Sequence, residues 1–445
     1  MTISSAATPQ PQRLSGPGLV YAWYTVVLLT LAYILSFVDR YILGLLIGPI
    51  KADLGLSDTQ IGLLLGPAFA VFYVLMGLPL GWLADRARRT WIVGAGIILW
   101  SAATAACGLA KNFVQLGLAR VGVGVGEATL SPCALSMIAD RFPEEQRGKP
   151  VAFYSAALSV GAGIASLAGA SVLAWTSTQG AVTVPVFGEL APWQVTFLVV
   201  AAPGLPLALL MLTLREPRRQ QSSLDESGNG VTIGQALGEV RDNWRAYSGL
   251  VSMVCVMTIV AYSQGWLPAM FERTWGWSTA QYALYNGLAL LLVGPHIVNL
   301  AGWYSDKLFS EGASDAPLRI VMIGLCVLVP TGILGPLMPN AWAAFLVMVC
   351  NNVGIAMLSA CAPTALLNIT PGAIRGQVVA MYYIAISMAG LLLGPTTIGV
   401  LNDLVFGEAG IRYSAALVPL VFGLPVILMM RSIRRVYLER MEAMQ

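Results

Sequence analysis

Charge is what this chain has least of. Only 11% of its 445 residues are Asp, Glu, Lys or Arg, while 57% are hydrophobic; soluble domains carry about 25% charge. So little charge could hardly cover a water-soluble surface, which leaves lipid as the solvent. Histidine is nearly missing as well: His296 stands alone. With no nucleophile–base set or metal cluster around it, a membrane enzyme has nothing to work with. Six cysteines (Cys107, Cys133, Cys255, Cys326, Cys350, Cys361) lie within apolar runs without CxxC spacing. They read as small core residues, with no metal site or disulfide framework. No Gly-x-x-x-x-Gly-Lys-Ser/Thr loop occurs, so ATP is not the direct driver. The expectation is no catalytic residue, no metal, no cofactor and no nucleic-acid partner.

Apolar length is what the chain has instead. Runs of about 20 residues, enough to cross a hydrocarbon core, recur from end to end. They lie at roughly 19–50, 58–82, 90–110, 113–139, 149–175, 193–214, 246–271, 279–303, 318–338, 341–369, 377–400 and 413–432. Only helices and closed barrels satisfy the backbone in lipid, and these runs are too long for barrel strands. The fold class is therefore all-α, a polytopic membrane protein with twelve transmembrane helices in two six-helix bundles. Residues 1–18 read as a disordered tail, not a signal peptide. Then follow a first bundle at 19–214, a linker at 215–245, a second bundle at 246–432 and a tail at 433–445. With the amino terminus placed inside, nineteen of the 25 Lys and Arg fall in inside segments. Only Lys51, Lys111, Arg273 and Arg412 fall outside, and Arg40 and Arg120 lie within spans. The positive-inside rule then puts both termini in the cytoplasm of an inner (plasma) membrane protein.

The halves resemble each other. SPCALSMIADRFPEEQRGKPVAFY (131–154) can be laid on APTALLNITPGAIRGQVVAMYY (362–383), which matches Pro132 with Pro363, Arg147-Gly148 with Arg375-Gly376 and Tyr154 with Tyr382. GWLADRARR (81–89) echoes GWYSDKLFS (302–310). Parallel repeats about an axis along the membrane normal suit a transporter that rocks about a central site.

These segments carry a resemblance to a known family. GWLADRARR resembles the signature of the major facilitator superfamily between its second and third helices, and LARVGVGVGEA (118–128) resembles that superfamily's fourth-helix arginine motif. With VDRY in the first span, GVGEA in the fourth and ADRFPEEQRGK after it, the chain is most similar to the Spinster family, whose animal members export sphingosine phosphates and lysophospholipids. The resemblance implies the major facilitator fold and secondary transport by alternating access.

A cytoplasmic gate is expected at the repeated motif. Gly81 lets two helix backbones approach, and Asp85 can meet the positive end of a helix dipole across the domain interface. Arg86, Arg88 and Arg89 can reach acids such as Asp140, although positive-inside topology alone accounts for Arg89. Arg141, Arg147, Asp306, Lys307 and Arg375 complete the set, and LFS in place of the basic pair makes the second copy the weaker. The glycines at 122, 124 and 126 serve helix packing.

Four ionisable residues lie at depth, where each costs at least about 2.5–3.5 kcal/mol and marks a site: Asp39, Arg40, Arg120 and Glu127. Their heights favour an Asp39–Arg120 pair over the less level Arg40–Glu127, and an inert ion pair locking the bundle is the competing reading. As a switch, Asp39 and Glu127 would compete for Arg120, with Glu127 carrying the proton and Arg40 facing a neighbouring helix or water. Around them, Tyr33, Ser36, Leu43, Ser131 and Tyr154 form one cavity wall. Asn286, His296, Asn351, Asn352, Ser359 and Tyr382 form a less charged opposite wall. Such a cavity suits an amphipathic, lipid-like substrate carried with a proton by a monomer among membrane lipids. The alternatives are transport of a small organic anion, multidrug efflux in the same fold, or a channel.

Overall fold

The structure is a computed structural model that describes residues 16–84, 86–143, 146–179, 182–184, 188–217 and 233–444. Among these residues, twelve helices are long and apolar enough to cross a membrane. Spans 1 to 6 are Pro17–Leu45, Asp58–Gly77, Arg89–Gly108, Phe113–Arg141, Gly148–Thr176 and Pro192–Met211. Spans 7 to 12 are Trp244–Trp275, Thr279–Ser310, Ala316–Leu337, Ala341–Asn368, Arg375–Phe406 and Glu408–Glu442. An even number of spans leaves both chain ends on one face, the terminal face.

Two boundaries differ from the sequence expectation. The first helix begins at Gly16, inside the expected tail, and the last runs to Glu442, so most of the tail at 433–445 is helical. Of the linker, Ile233–Asp242 is helix and 218–232 lies outside the described residues. A hairpin, β1 (Val182–Val184) paired antiparallel with β2 (Gly188–Leu190), links spans 5 and 6. Cys107, Cys133 and Cys361 are buried as expected of core residues, but Cys326 and Cys350 are exposed on the bundle surface.

The two halves repeat in their caps. Ser57 accepts the Gln60 amide at the start of span 2, and Ser278 accepts the Gln281 amide at the start of span 8. Asn112 and Asn340 cap spans 4 and 10 in the same way, each satisfying one orphan amide of its helix. At the other ends, Arg147 Nε donates to the Phe142 carbonyl at 2.8 Å and Arg375 Nε to the Thr370 carbonyl at 3.3 Å. Each reaches five residues back, as the alignment of the two motifs requires.

Two helix breaks shape the centre. Pro67 has no amide hydrogen to continue the ladder, and span 2 breaks at Gly66 into Asp58–Leu65 and Pro67–Ala84. Span 4 is interrupted just after Glu127, between Phe113–Glu127 and Leu130–Arg141, ahead of Pro132.

The buried apolar residues fall into three clusters. One lies mainly in the first bundle, with Leu391 of span 11 joining it, and another within the second. The third joins the bundles on the opposite face, packing Ile42, Leu46 and Ile50 with Trp266, Phe271 and Ile398. Backbones meet closely there: a Cβ on Gly62 would come within 2.8 Å of the Pro395 carbonyl oxygen, and one on Gly44 within 2.8 Å of that of Gly265. On the terminal face, a Cβ on Gly81 or Gly302 would meet nothing within 4 Å. The close backbone approaches between the halves at Gly44 and Gly62 are thus on the opposite face.

Candidate functional site

The first span brings Asp39 and Arg40 to the centre, and the fourth brings Arg120 and Glu127. Arg40 Nε donates to Glu127 Oε2 at 2.5 Å, and Nη2 lies 2.5 Å from the same oxygen. Glu127 is 1% exposed in its side chain and Arg40 17%, so the cation is the member reachable from the space between the halves. Three rings surround the guanidinium, with centroids at 4.7 Å (Phe69), 5.0 Å (Tyr73) and 5.6 Å (Phe37). Desolvated cation–π contacts of this kind add about 2 kcal/mol and hold a buried arginine that one carboxylate alone would barely compensate.

The pairing corrects the sequence expectation. Arg120, 2% exposed, does not pair with the Asp39 carboxylate; its Nη1 donates to the Asp39 backbone carbonyl at 3.3 Å and its Nε to that of Leu64 at 3.4 Å. Leu64 is in the last turn before the Gly66 break, where helix carbonyls lose their regular partners. The heights of Asp39 and Arg120 do match, but the guanidinium takes the Asp39 backbone carbonyl and forms no ion pair with its carboxylate. Both Asp39 carboxylate oxygens are buried without a hydrogen-bond partner, as is Glu127 Oε1. Arg40 faces neighbouring helices, one of its two expected surroundings, through Glu127 of span 4 and the rings of Phe69 and Tyr73.

Around this centre Tyr33 stacks on Tyr154 at 5.0 Å, whose hydroxyl lies 3.5 Å from Ser131 Oγ. These three are neighbours. Ser36 and Leu43 do not form a cavity wall: Ser36 is buried against its own helix through a bond to the Tyr33 carbonyl, and Leu43 is fully buried in the cluster joining the halves. In the second half Asn286 is half-buried and His296 exposed. Asn351 is a packing residue, donating to the Leu328 carbonyl at 2.7 Å and to Thr331. It shares the Gln264 amide with Asn352. Ser359 bonds within its own helix, and Tyr382 is buried in the core of the second bundle. Among the described residues no cluster of His, Cys, Asp and Glu could hold a metal.

Sequence reasoning missed the aromatic collar, although Phe69 and Tyr73 sit at i, i+4 in GPAFAVFY and so share a helix face. It missed Tyr262 of span 7 too, which faces Arg40 from the second half.

On the terminal face, Asp85 lies outside the described residues. Arg86 stacks on its own Trp82 at 4.1 Å, and Arg88, Asp306 and Lys307 are exposed, with Lys307 4.0 Å from Glu311. Arg89, attributed above to topology, is the buried anchor: it is 2% exposed and holds Asp140 at 2.6 Å and Glu216 at 2.8 Å. Burial alone would raise the Glu216 carboxyl, but bonds from Arg89 and the Thr90 amide outweigh it and hold the group below its ordinary range. Arg141 donates to the Arg215 carbonyl and covers the Tyr21 ring at 4.8 Å. All of these contacts lie within one half.

The charges that cross between halves are on the opposite face. Asp58, fully buried, takes Arg273 at 2.7 Å, Lys51 at 2.6 Å and the Asn402 amide at 2.8 Å. Asp403 at the end of span 11 accepts the Asp58 and Thr59 amides at 3.1 and 2.7 Å, capping span 2 from the other half. Lys51 also reaches Glu408 at 2.6 Å. Lys51 and Arg273, mere exceptions in the charge count, are the cations of this lock.

This architecture has known counterparts. The sequence profile of the Major Facilitator Superfamily matches residues 29–395. An MFS-type efflux pump of Mycolicibacterium smegmatis is 28% identical over 87% of this chain and 86% of its own. A D-galactonate transporter of Escherichia coli O6:H1 is 23% identical over 93% and 96%. The crystal structure of a bacterial homologue of the human lysosomal transporter Spinster, inward-facing and unoccupied, superposes with a TM-score of 0.77. It is 25% identical and covers 96% of this chain and 98% of that one.

Proposed function

The chain belongs to the major facilitator superfamily, a Spinster-like membrane transporter of twelve spans, and we propose that it couples the movement of an amphipathic, lipid-like anion to that of a proton. One observation carries this reading: Arg40, partly exposed inside an aromatic collar and paired with Glu127, stands beside an Asp39 carboxylate with no partner. An ionised carboxylate buried alone is very costly, so the proton is assigned to Asp39 in this conformation, in place of Glu127. As the halves rock, Arg120 leaves the Asp39 and Leu64 carbonyls for the Asp39 carboxylate and displaces that proton. An anionic head group competes with Glu127 for Arg40, while its tail lies along Tyr33, Tyr73 and Tyr154. The terminal face is assigned to the cytoplasm of an inner-membrane monomer, since nineteen of 25 basic residues belong to it.

The second reading, a small polar organic anion, is favoured by the D-galactonate transporter among the relatives. Proteoliposomes enclosing a pH-sensitive dye separate the two. Lysophospholipid or sphingoid phosphate added outside should drive proton flux and galactonate should not; the reverse pattern rejects the lipid reading.

A further inference from the structure

A groove of about 680 Å³ lies on the side of the first bundle between spans 2 and 3, with Val125 and Thr129 of span 4 as its floor. Leu80 and Leu83 form one wall, Trp91 and Leu99 the other. Trp91 is 65% exposed and Leu99 45%, so the groove opens to the surrounding lipid. All of its lining residues belong to the first bundle, so the groove is not part of the interface between the bundles. Its one charged lining residue, Arg88, stands at the mouth on the terminal face. From Arg88 to Leu99 the helix rises about 16 Å, roughly the depth of one leaflet's hydrocarbon.

The mouth is basic. Arg89 is used up inside the bundle by Asp140 and Glu216. Among the described residues neither Arg88, which is exposed, nor Arg86 forms an ion pair; Arg86 stacks on the Trp82 ring and donates to the Trp82 carbonyl at 3.4 Å. These two arginines put positive charge at head-group level, flanked by Trp82 and Trp91, which are 58% and 65% exposed, as is usual at a membrane interface. An apolar slot one leaflet deep with a cation at its rim has the chemistry of a phospholipid with a net negative head group. We propose that the groove binds one anionic phospholipid of the leaflet on the terminal face, one acyl chain lying between spans 2 and 3 and the phosphate on Arg88. The bound lipid braces span 2 against span 3.

Native mass spectrometry of the delipidated full-length protein tests this, with phosphatidylglycerol and phosphatidylcholine of identical chains as probes. Phosphatidylglycerol should bind more tightly. Arg88→Gln should weaken it about fivefold, the scale of one basic side chain at an anionic surface, and leave phosphatidylcholine unchanged. Ala95 lines the groove and is exposed, so Ala95→Trp should fill it and reduce both adducts, with Ala95→Leu intermediate and the Tm of each variant near that of the parent. Equal binding of the two lipids, or unchanged phosphatidylglycerol binding in Arg88→Gln, overturns the anionic assignment. Unchanged binding in Ala95→Trp means an unselective annular lipid only.

Discussion

Arg40 Nε and Glu127 Oε2 meet at 2.5 Å across 87 positions of sequence, and the ion pair between the first span and the fourth is this one, while Asp39 and Arg120 meet only through a backbone carbonyl. Removing one partner of a buried pair strands the other charge and costs about 3 kcal/mol. Arg40→Met and Glu127→Gln should therefore each lower the Tm of the detergent-solubilised protein by several degrees. The double variant should recover most of that loss, because replacing both partners by uncharged side chains is often neutral. Additive losses in the double variant would mean that the two residues act separately.

The lock on the opposite face makes a conformational prediction. Asp58 holds Arg273, Lys51 and Asn402 at once, so Asp58→Asn should loosen the joined side and populate conformers open there. Asp403→Asn, which weakens only the cap on span 2, should do the same to a smaller degree. Spin labels at Lys111 and Pro339, exposed on that face in the two halves, report the distance in a cysteine-free background. The Asp58→Asn distribution should gain a longer component, and an unchanged one removes the lock from the gating cycle.

How far the sequence carried depends on whether a feature is a property of one helix or of two. The twelve spans and their division six and six follow from local apolarity, and the repeat shows in paired residues such as Arg147 and Arg375. The heights of Asp39 and Arg120 were also legible, since rise per residue fixes height. What one helix cannot tell is rotation and neighbour. Arg120 bonds to the Asp39 carbonyl while the Asp39 carboxylate is left without a hydrogen-bond partner. Leu43 and Asn351 look polar-facing or cavity-facing by position, yet they pack between helices. The sequence puts Asp140 within reach of Arg89, yet topology alone accounts for the charge there because the second partner, Glu216, lies 127 positions away.

Arg89 also sets a pH response on the terminal face. The Glu216 carboxyl is held below its ordinary range, so it binds protons less readily folded than unfolded. Its stabilising effect is present above the ordinary glutamate range and is lost as pH falls through the lowered folded value. Glu216→Gln should flatten the acid limb of the Tm–pH profile and leave the profile near neutrality parallel to that of the parent. An acid limb as steep as the parent's would assign that pH response to other carboxylates.

Asp39 gives the sharpest test of coupling. Its carboxylate oxygens are buried and unpartnered while Arg120 is engaged by two carbonyls, so Asp39→Asn removes no ion pair in this conformation. Stability should stay within about 1 kcal/mol of the parent, since no buried charge is stranded. Turnover should behave differently. Without a group that releases its proton to an approaching Arg120, exchange of substrate across the membrane can continue, but a pH gradient can no longer drive accumulation. In proteoliposomes, Asp39→Asn should show counterflow near the parent rate and a pH-independent uptake that stops at equilibrium. Glu127→Gln should instead lose stability and, by freeing Arg40 of its competing carboxylate, tighten substrate binding, with uptake still following the gradient. If Asp39→Asn concentrates substrate in response to the gradient and Glu127→Gln does not, the proton belongs to Glu127.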